Sequence, residues 1–161
     1  MNTFLFYSLV EFIKLLVIHW LADHRVRKEE FYMSEIREQL VYSDDHEWVL
    51  KLEGNIVRVG ITDHAQCQLG DIVFIEMPDV GFEVTAGDSV GSIESVKTVS
   101  ELYCPVSGII TKLNEELETS PELVNSEPYD NGWIFEVEIA GDVEEALGKL
   151  LSAEDYSKEV E

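Results

Sequence analysis

"GSIESVKTVSELYCPVSG", Gly91 to Gly108, decides how the chain folds. Glycines bound it, β-branched residues alternate with polar ones through it, and Lys97 stands at its centre. Running outward, Ser95-Val96 and Thr98-Val99 flank the lysine, then Glu94 faces Ser100 and Ile93 faces Glu101. Such a pattern predicts two strands meeting at an exposed hairpin tip, with Lys97 as its pivot. Two readings of the lysine stay open on physical grounds. It blunts a sheet edge against aggregation, or its amine on a four-carbon stem is an attachment point whose acylation removes the charge.

Outward from the hairpin, the same grammar continues. "EWVLKLEGNIVRVGI" predicts strands over Trp48–Leu52 and Ile56–Ile61 joined by the turn "EGN". "TDHAQCQLGD" predicts a short helix, with Thr62 or Asp63 as N-cap and Gly70 closing its end. "IVFIEM" is a strand stopped by Pro78, and "GFEVTAGDSVGSIESV" holds one or two short strands. "ELYCPVSGIITKLN" adds strand around a turn at Pro105–Gly108, "NEELETSPELVN" a helical turn or two, and "GWIFEVEI" a late strand. In the tail, Val143 to Glu161, the residues Val143, Leu147, Leu150 and Leu151 predict one helix with one apolar stripe. The fold class is therefore mostly β, a small two-sheet sandwich or barrel, with a short helix after the first hairpin and a C-terminal helix.

The chain has 161 residues, enough for one ordinary core, and 33 acidic against 11 basic residues give a net charge of −22. Residues 1–33 hold four bases and four acids, so the whole excess falls on residues 34–161. Such a field excludes nucleic acid and anionic lipid as partners and favours basic ones. Two cysteines, Cys67 and Cys104, lack the spacing of a disulfide framework or a zinc site, so no metal is expected. Neither has a histidine at a recognisable spacing, which leaves little ground for a cysteine enzyme.

Residues 1–32 form a separate apolar extension ahead of a domain over 33–161. Asn2–Ala22 is long enough to span a membrane, but Glu11, Lys14 and His19 interrupt it. It lacks the features of a secretory or mitochondrial leader, so the expected location is the cytoplasm. "MSEIREQL" from Met33 reads as a natural start, making the upstream residues an over-extended reading frame; a membrane anchor or a targeting segment are the alternatives.

From about Ser34 onward, "HEWV" (46–49), "GITDHAQ" (60–66), "LGDIVFIEMPDVG" (69–81), "ESVKTVSELYCPVSG" (94–108) and "SPELVNSEPYDNGW" (120–133) succeed one another. In their order and consistent spacing the chain resembles the H protein of the glycine cleavage system. The resemblance implies a barrel-sandwich hybrid of the lipoyl/biotinyl type, with (R)-lipoate joined to Lys97 by an amide. It implies a non-catalytic shuttle that takes the aminomethyl group of glycine from the pyridoxal-phosphate decarboxylase (P protein) to the aminomethyltransferase (T protein). Reoxidation then falls to dihydrolipoyl dehydrogenase (L protein). Carried over by position, Glu94 and Gly81 serve recognition by the lipoyl-attaching enzyme, and Glu47 holds the loaded arm in a surface cleft. Glu101 and Asp45 join that cleft, although the family often has Asp and Ser there; Thr98 and Cys104 likewise replace a common Ala and Ser. A biotin carrier would place methionines beside the lysine, where Val96 and Thr98 stand. A lipoyl domain of a 2-oxo-acid dehydrogenase would favour Asp before the lysine and a catalytic domain after it. An H-like relay carrier that donates lipoyl groups to such complexes is the closest alternative.

Overall fold

In "IVRVGI" and "FEVEI" every second residue is a buried apolar one, so Val57, Val59 and Ile61 share one face of their strand and Phe135, Val137 and Ile139 one face of theirs, and two sheets result. The computed structural model describes residues 33–161. Ser34–Glu161 forms one compact unit and holds every element below. The expectations attached to Asn2–Ala22 lie outside the described residues. Among the described residues no helix is long and apolar enough to cross a membrane.

Among the described residues nine strands appear: β1 (Val41–Tyr42), β2 (Glu47–Lys51), β3 (Ile56–Ile61), β4 (Ile72–Glu76), β5 (Glu83–Val84), β6 (Ser89–Ser95), β7 (Val99–Tyr103), β8 (Gly108–Leu113) and β9 (Phe135–Ile139). The larger sheet has the order β1-β2-β3-β9-β8-β5, and the smaller has β4-β6-β7. All pairings are antiparallel. The inner faces interlock in one core, where Val57, Val59, Ile110, Phe135 and Val137 of the large sheet meet Ile75, Ile93 and Leu102 of the small one. A second cluster, Tyr42, Trp48, Tyr129 and Tyr156, closes the end of the large sheet. The Tyr42 and Tyr156 rings stack there with centroids 4.5 Å apart.

Helix α1 (Asp63–Leu69) starts as its sequence predicts: the Thr62 hydroxyl accepts the Ala65 N–H, and Gly70 ends the helix at φ 77°. A 3₁₀ turn (Glu115–Glu118) and α2 (Leu123–Ser126) fill the "NEELETSPELVN" segment. The tail departs from expectation. It forms two helices, α3 (Val143–Leu147) and α4 (Ala153–Val160), rather than one. Between them Leu151 exchanges two backbone hydrogen bonds with Tyr42, at 2.9 and 2.8 Å. β1 is an edge strand with open donors and acceptors, and pairing it with Leu151 satisfies groups that a continuous helix would leave unmet. Ser152 then caps α4 by accepting the Asp155 N–H. Apolar periodicity alone could not distinguish Leu151 on a helix stripe from Leu151 on a sheet edge.

A second departure sits at the quoted hairpin. The register pairs Glu94 with Val99 and Ile93 with Ser100, not Glu94 with Ser100. The pivot therefore falls between Val96 and Lys97, in a two-residue turn closed by Ser95 and Thr98. Because strand side chains alternate, this one-position slip places Val99, not Ser100, beside Glu94 on the outer face. Phe74, Glu94 and Val99 form one outer row across the small sheet, and Glu76, Ser92 and Glu101 form the next.

Candidate functional site

Lys97 occupies the second corner of that turn, exposed, and among the described residues it makes no ion pair. The turn is rigid for local reasons. Ser95 N–H donates to the Thr98 carbonyl at 2.8 Å, while the Ser95 hydroxyl oxygen accepts the N–H groups of Lys97 and Thr98 at 3.3 and 3.2 Å. Val96 N–H donates to the Asp71 carbonyl at 3.0 Å, tying the tip to the corner between α1 and β4. At that corner a Cβ on Gly70 would lie 2.8 Å from Lys97 Cε, so the missing side chain leaves the space the lysine stem rests in. A free amine on a fixed turn, with room around its stem, suits attachment of an acyl group through Nζ. The roles of Ser95 and Asp71 in fixing the tip escaped sequence reasoning, as did that of Gly70, expected there only as a helix stop, in making room for the lysine stem. Ser95 alone had a signal there, as a turn-favouring residue directly before the two corners.

Glu47 is the opposite kind of residue. It opens β2 at only 2% exposure. The turn before it ends in His46 at φ 70°, a left-handed position that usually selects glycine and that turns the following side chain inward. Glu47 Oε1 accepts the Tyr103 N–H at 3.3 Å, and the Ser43 hydroxyl donates to Oε2. Burial pushes the carboxyl up to about 7, the bonds from Ser43 and Tyr103 pull against it, and the charge of Asp45 adds to the rise. His46 is itself pinned, with Nδ1 2.9 Å from the Tyr156 hydroxyl, which also lies 2.8 Å from Thr62 Oγ1. A recess of about 170 Å³ opens beside Glu47, lined among others by Ser43, Asp45, Tyr103, Cys104 and Lys149. Lys149 is directed to Glu145 at 3.2 Å.

Asp45 thus shares a recess with Glu47. Glu101 does not: its carboxylate takes the Ser89 hydroxyl, and it lines a different recess on the outer face of the small sheet. Tyr103, two residues beyond Glu101 on β7, lines the Glu47 recess and not that of Glu101. Glu94 lies half-buried on that same outer face, three residues from Lys97. Gly81 has a backbone reason to be glycine. Its φ is 87°, its N–H donates to the Ile110 carbonyl at 2.7 Å, and a Cβ there would meet nothing within 4 Å. The loop it shapes carries Phe82, which lines the Glu101 recess and which no sequence pattern singled out.

Of the two cysteines, only Cys104 lines the Glu47 recess. Cys104 is buried, its thiol pushed up to about 11 by burial, and Sγ donates to the Val106 carbonyl at 3.1 Å. Cys67 is exposed on α1. Among the described residues no group of three or more His, Cys, Asp or Glu could hold a metal ion.

The family model described as "Glycine cleavage H-protein" covers residues 40–161. The "Glycine cleavage system H protein" of Mycobacterium sp. (strain KMS) is 54% identical over 125 residues, spanning 77% of this chain and 95% of the relative. The protein of the same name from Carboxydothermus hydrogenoformans is 55% identical over 129 residues, spanning 80% and 97%. Among solved structures, a glycine cleavage system H protein from Mycobacterium marinum superposes with a TM-score of 0.69 at 38% identity, covering 77% of this chain and 98% of that one. The match takes in both sheets, the lysine hairpin and the Glu47 strand, and the chain belongs to the glycine cleavage H-protein family.

Proposed function

We propose that Lys97 carries one (R)-lipoyl group, joined by an amide at Nζ, and that the protein presents it in turn to the P, T and L proteins. Membership of the family makes the chain a lipoyl carrier of the glycine cleavage system, not an enzyme, and does not favour the relay alternative. The single observation that carries the assignment is the free lysine at a fixed two-residue tip inside a matched family segment. When attached, lipoate supplies a redox-active disulfide on a long tether. Tethering holds the cargo near each partner at high effective concentration.

The residues of this chain then divide the work. Ser95 and Asp71 hold the tip still, so that the attaching enzyme meets one geometry. Glu94, on the outer face beside the tip, is the acid that enzyme reads, and Gly81 sets the loop that borders the same face. Glu47, with Asp45, takes the cationic amine of the carried aminomethyl group. A carboxylate with a pKa near 7 holds a proton for part of the time at neutral pH, and an arriving cation displaces it by favouring the charged form. Glu101 assists from the neighbouring recess, on the approach along β7. The setting is cytoplasmic in this reading, and residues 1–32 are an extension to a carrier domain over 33–161.

Intact-mass measurement of the native protein and of Lys97→Arg tests the assignment. One lipoyl increment is expected in the wild type and none in the variant. A wild type without the increment under lipoate-replete conditions sinks it.

A further inference from the structure

The recess beside Phe82 is larger than the one beside Glu47, about 480 Å³ against about 170 Å³. Its size falls in the usual range for small-ligand sites, roughly 300–1,000 Å³. Val99, Val90, Met77, Pro78 and Phe82 give it an apolar lining, and Val99 and Phe82 are 63% and 55% exposed. Three carboxylates stand at its rim, Asp79, Glu76 and Glu101, and two of them are held by serines. Glu76 accepts the Ser92 hydroxyl at 3.1 Å, and Glu101 accepts the Ser89 hydroxyl. Gly91 lets β6 approach β4 closely, since a Cβ there would stand 1.9 Å from the Glu76 carbonyl oxygen.

We infer that this recess, between Phe82 and Val99, is a resting seat for the unloaded lipoyl arm of Lys97. The inference rests on Lys97 being lipoylated. Three observations point to that occupant. Reach is sufficient: Val99 is two residues from Lys97, roughly 7 Å along the strand, and Glu101 roughly 14 Å. The lysine stem and acyl chain together have about eleven bonds of roughly 1.5 Å, which brings the dithiolane to the Glu76–Ser92–Glu101 row. Chemistry agrees as well, because the unloaded arm is uncharged once the amine is acylated, and an apolar floor gains by covering it. The acidic rim, finally, discourages anionic ligands from the same place. Loading changes the arm's preference. A cationic amine favours the buried carboxylate of Glu47, so one tether has two seats, selected by the charge of what it carries.

Methyl- and aromatic-labelled protein, with and without the lipoyl group, provides the test. Intact mass is recorded first, so that a missing modification is read as failure of the Lys97 assignment and not of the seat. In fully lipoylated protein, the resonances of Phe82, Val90 and Val99 are expected to shift and to show contacts to the dithiolane methylenes. Phosphine reduction of the lipoyl disulfide is expected to run about three- to tenfold faster in Phe82→Ala, because loss of the apolar wall lowers the seated population. Phe82 is largely exposed, so the variant folds. Shifts confined to Val96–Thr98, or equal reduction rates in the two proteins, overturn the inference.

Discussion

The lysine tip and the glutamate recess are built on opposite principles. Lys97 is exposed, makes no described ion pair, and depends on a turn whose bonds are all local or one corner away. Glu47 is buried, takes hydrogen bonds from two other segments, and depends on a strained residue held by the C-terminal helix. A group that must be found by several enzymes is displayed on a small rigid support. A group that must respond to one charge is removed from water, where a single cation counts for more. The two tasks call for different dielectric surroundings, and the fold supplies both within one small unit.

Three substitutions probe that contrast. The largest effect belongs to Lys97→Arg, which should abolish modification and aminomethyl carriage completely while the unfolding free energy stays within about 0.5 kcal/mol, as for other exposed sites. Urea denaturation beside the mass measurement checks this, and a strongly destabilised variant would show that the tip is not separable from the core.

Glu47→Gln should show the reverse. The folded carboxyl has its pKa raised from 4.5 to about 7, so the native state binds the proton more tightly than the unfolded chain. Wild-type stability therefore falls as pH rises from about 4.5 through 7, by about 3 kcal/mol at most, and is level beyond. The variant escapes that loss. It should be more stable than wild type at pH 8, equal to it near pH 4, and poorer at protecting the loaded amine. Parallel urea titrations at the two pH values decide it; a stability difference independent of pH would remove Glu47 from its buried, proton-holding role.

Ser95→Ala is the smallest. Losing a hydroxyl that accepts two N–H groups at an exposed turn should cost about 1 kcal/mol and slow lipoylation without preventing it. A rate of modification unchanged from wild type would mean that the attaching enzyme orders the turn itself.

The same contrast explains what could be read before the structure was known. The hairpin, the "EGN" turn, the Thr62 cap and the Gly70 stop are set by residues close together in the chain, so pattern was enough to place them. Lys97 was reachable in the same way as a tip, though its function came through family resemblance and not through spacing. Even so, a mirror pattern cannot fix the register: Glu94 opposite Val99 or Ser100 look alike until the turn closes on two residues. Glu47 carried no physical mark of its burial, because its partners, Ser43 apart, come from β7. Glu101 and Glu47 read as one cleft by position, yet they stand on strands of different sheets and line two hollows. Leu151 was misplaced for a similar reason, since an edge strand 109 residues away (151 − 42) decided its conformation.

That long-range closure has a consequence in time. A nascent chain that has reached Tyr103 already contains every residue of the Lys97 hairpin and of the corner it leans on. The Glu47 recess must wait for Lys149 to Leu151 to line it, and for Tyr156 to reach back 110 residues to His46. Synthesis thus finishes the place where the handle is fixed well before the place where its cargo is sheltered. A ribosome stalled between the two would display a lysine ready for modification on a carrier with nowhere to protect what it bears.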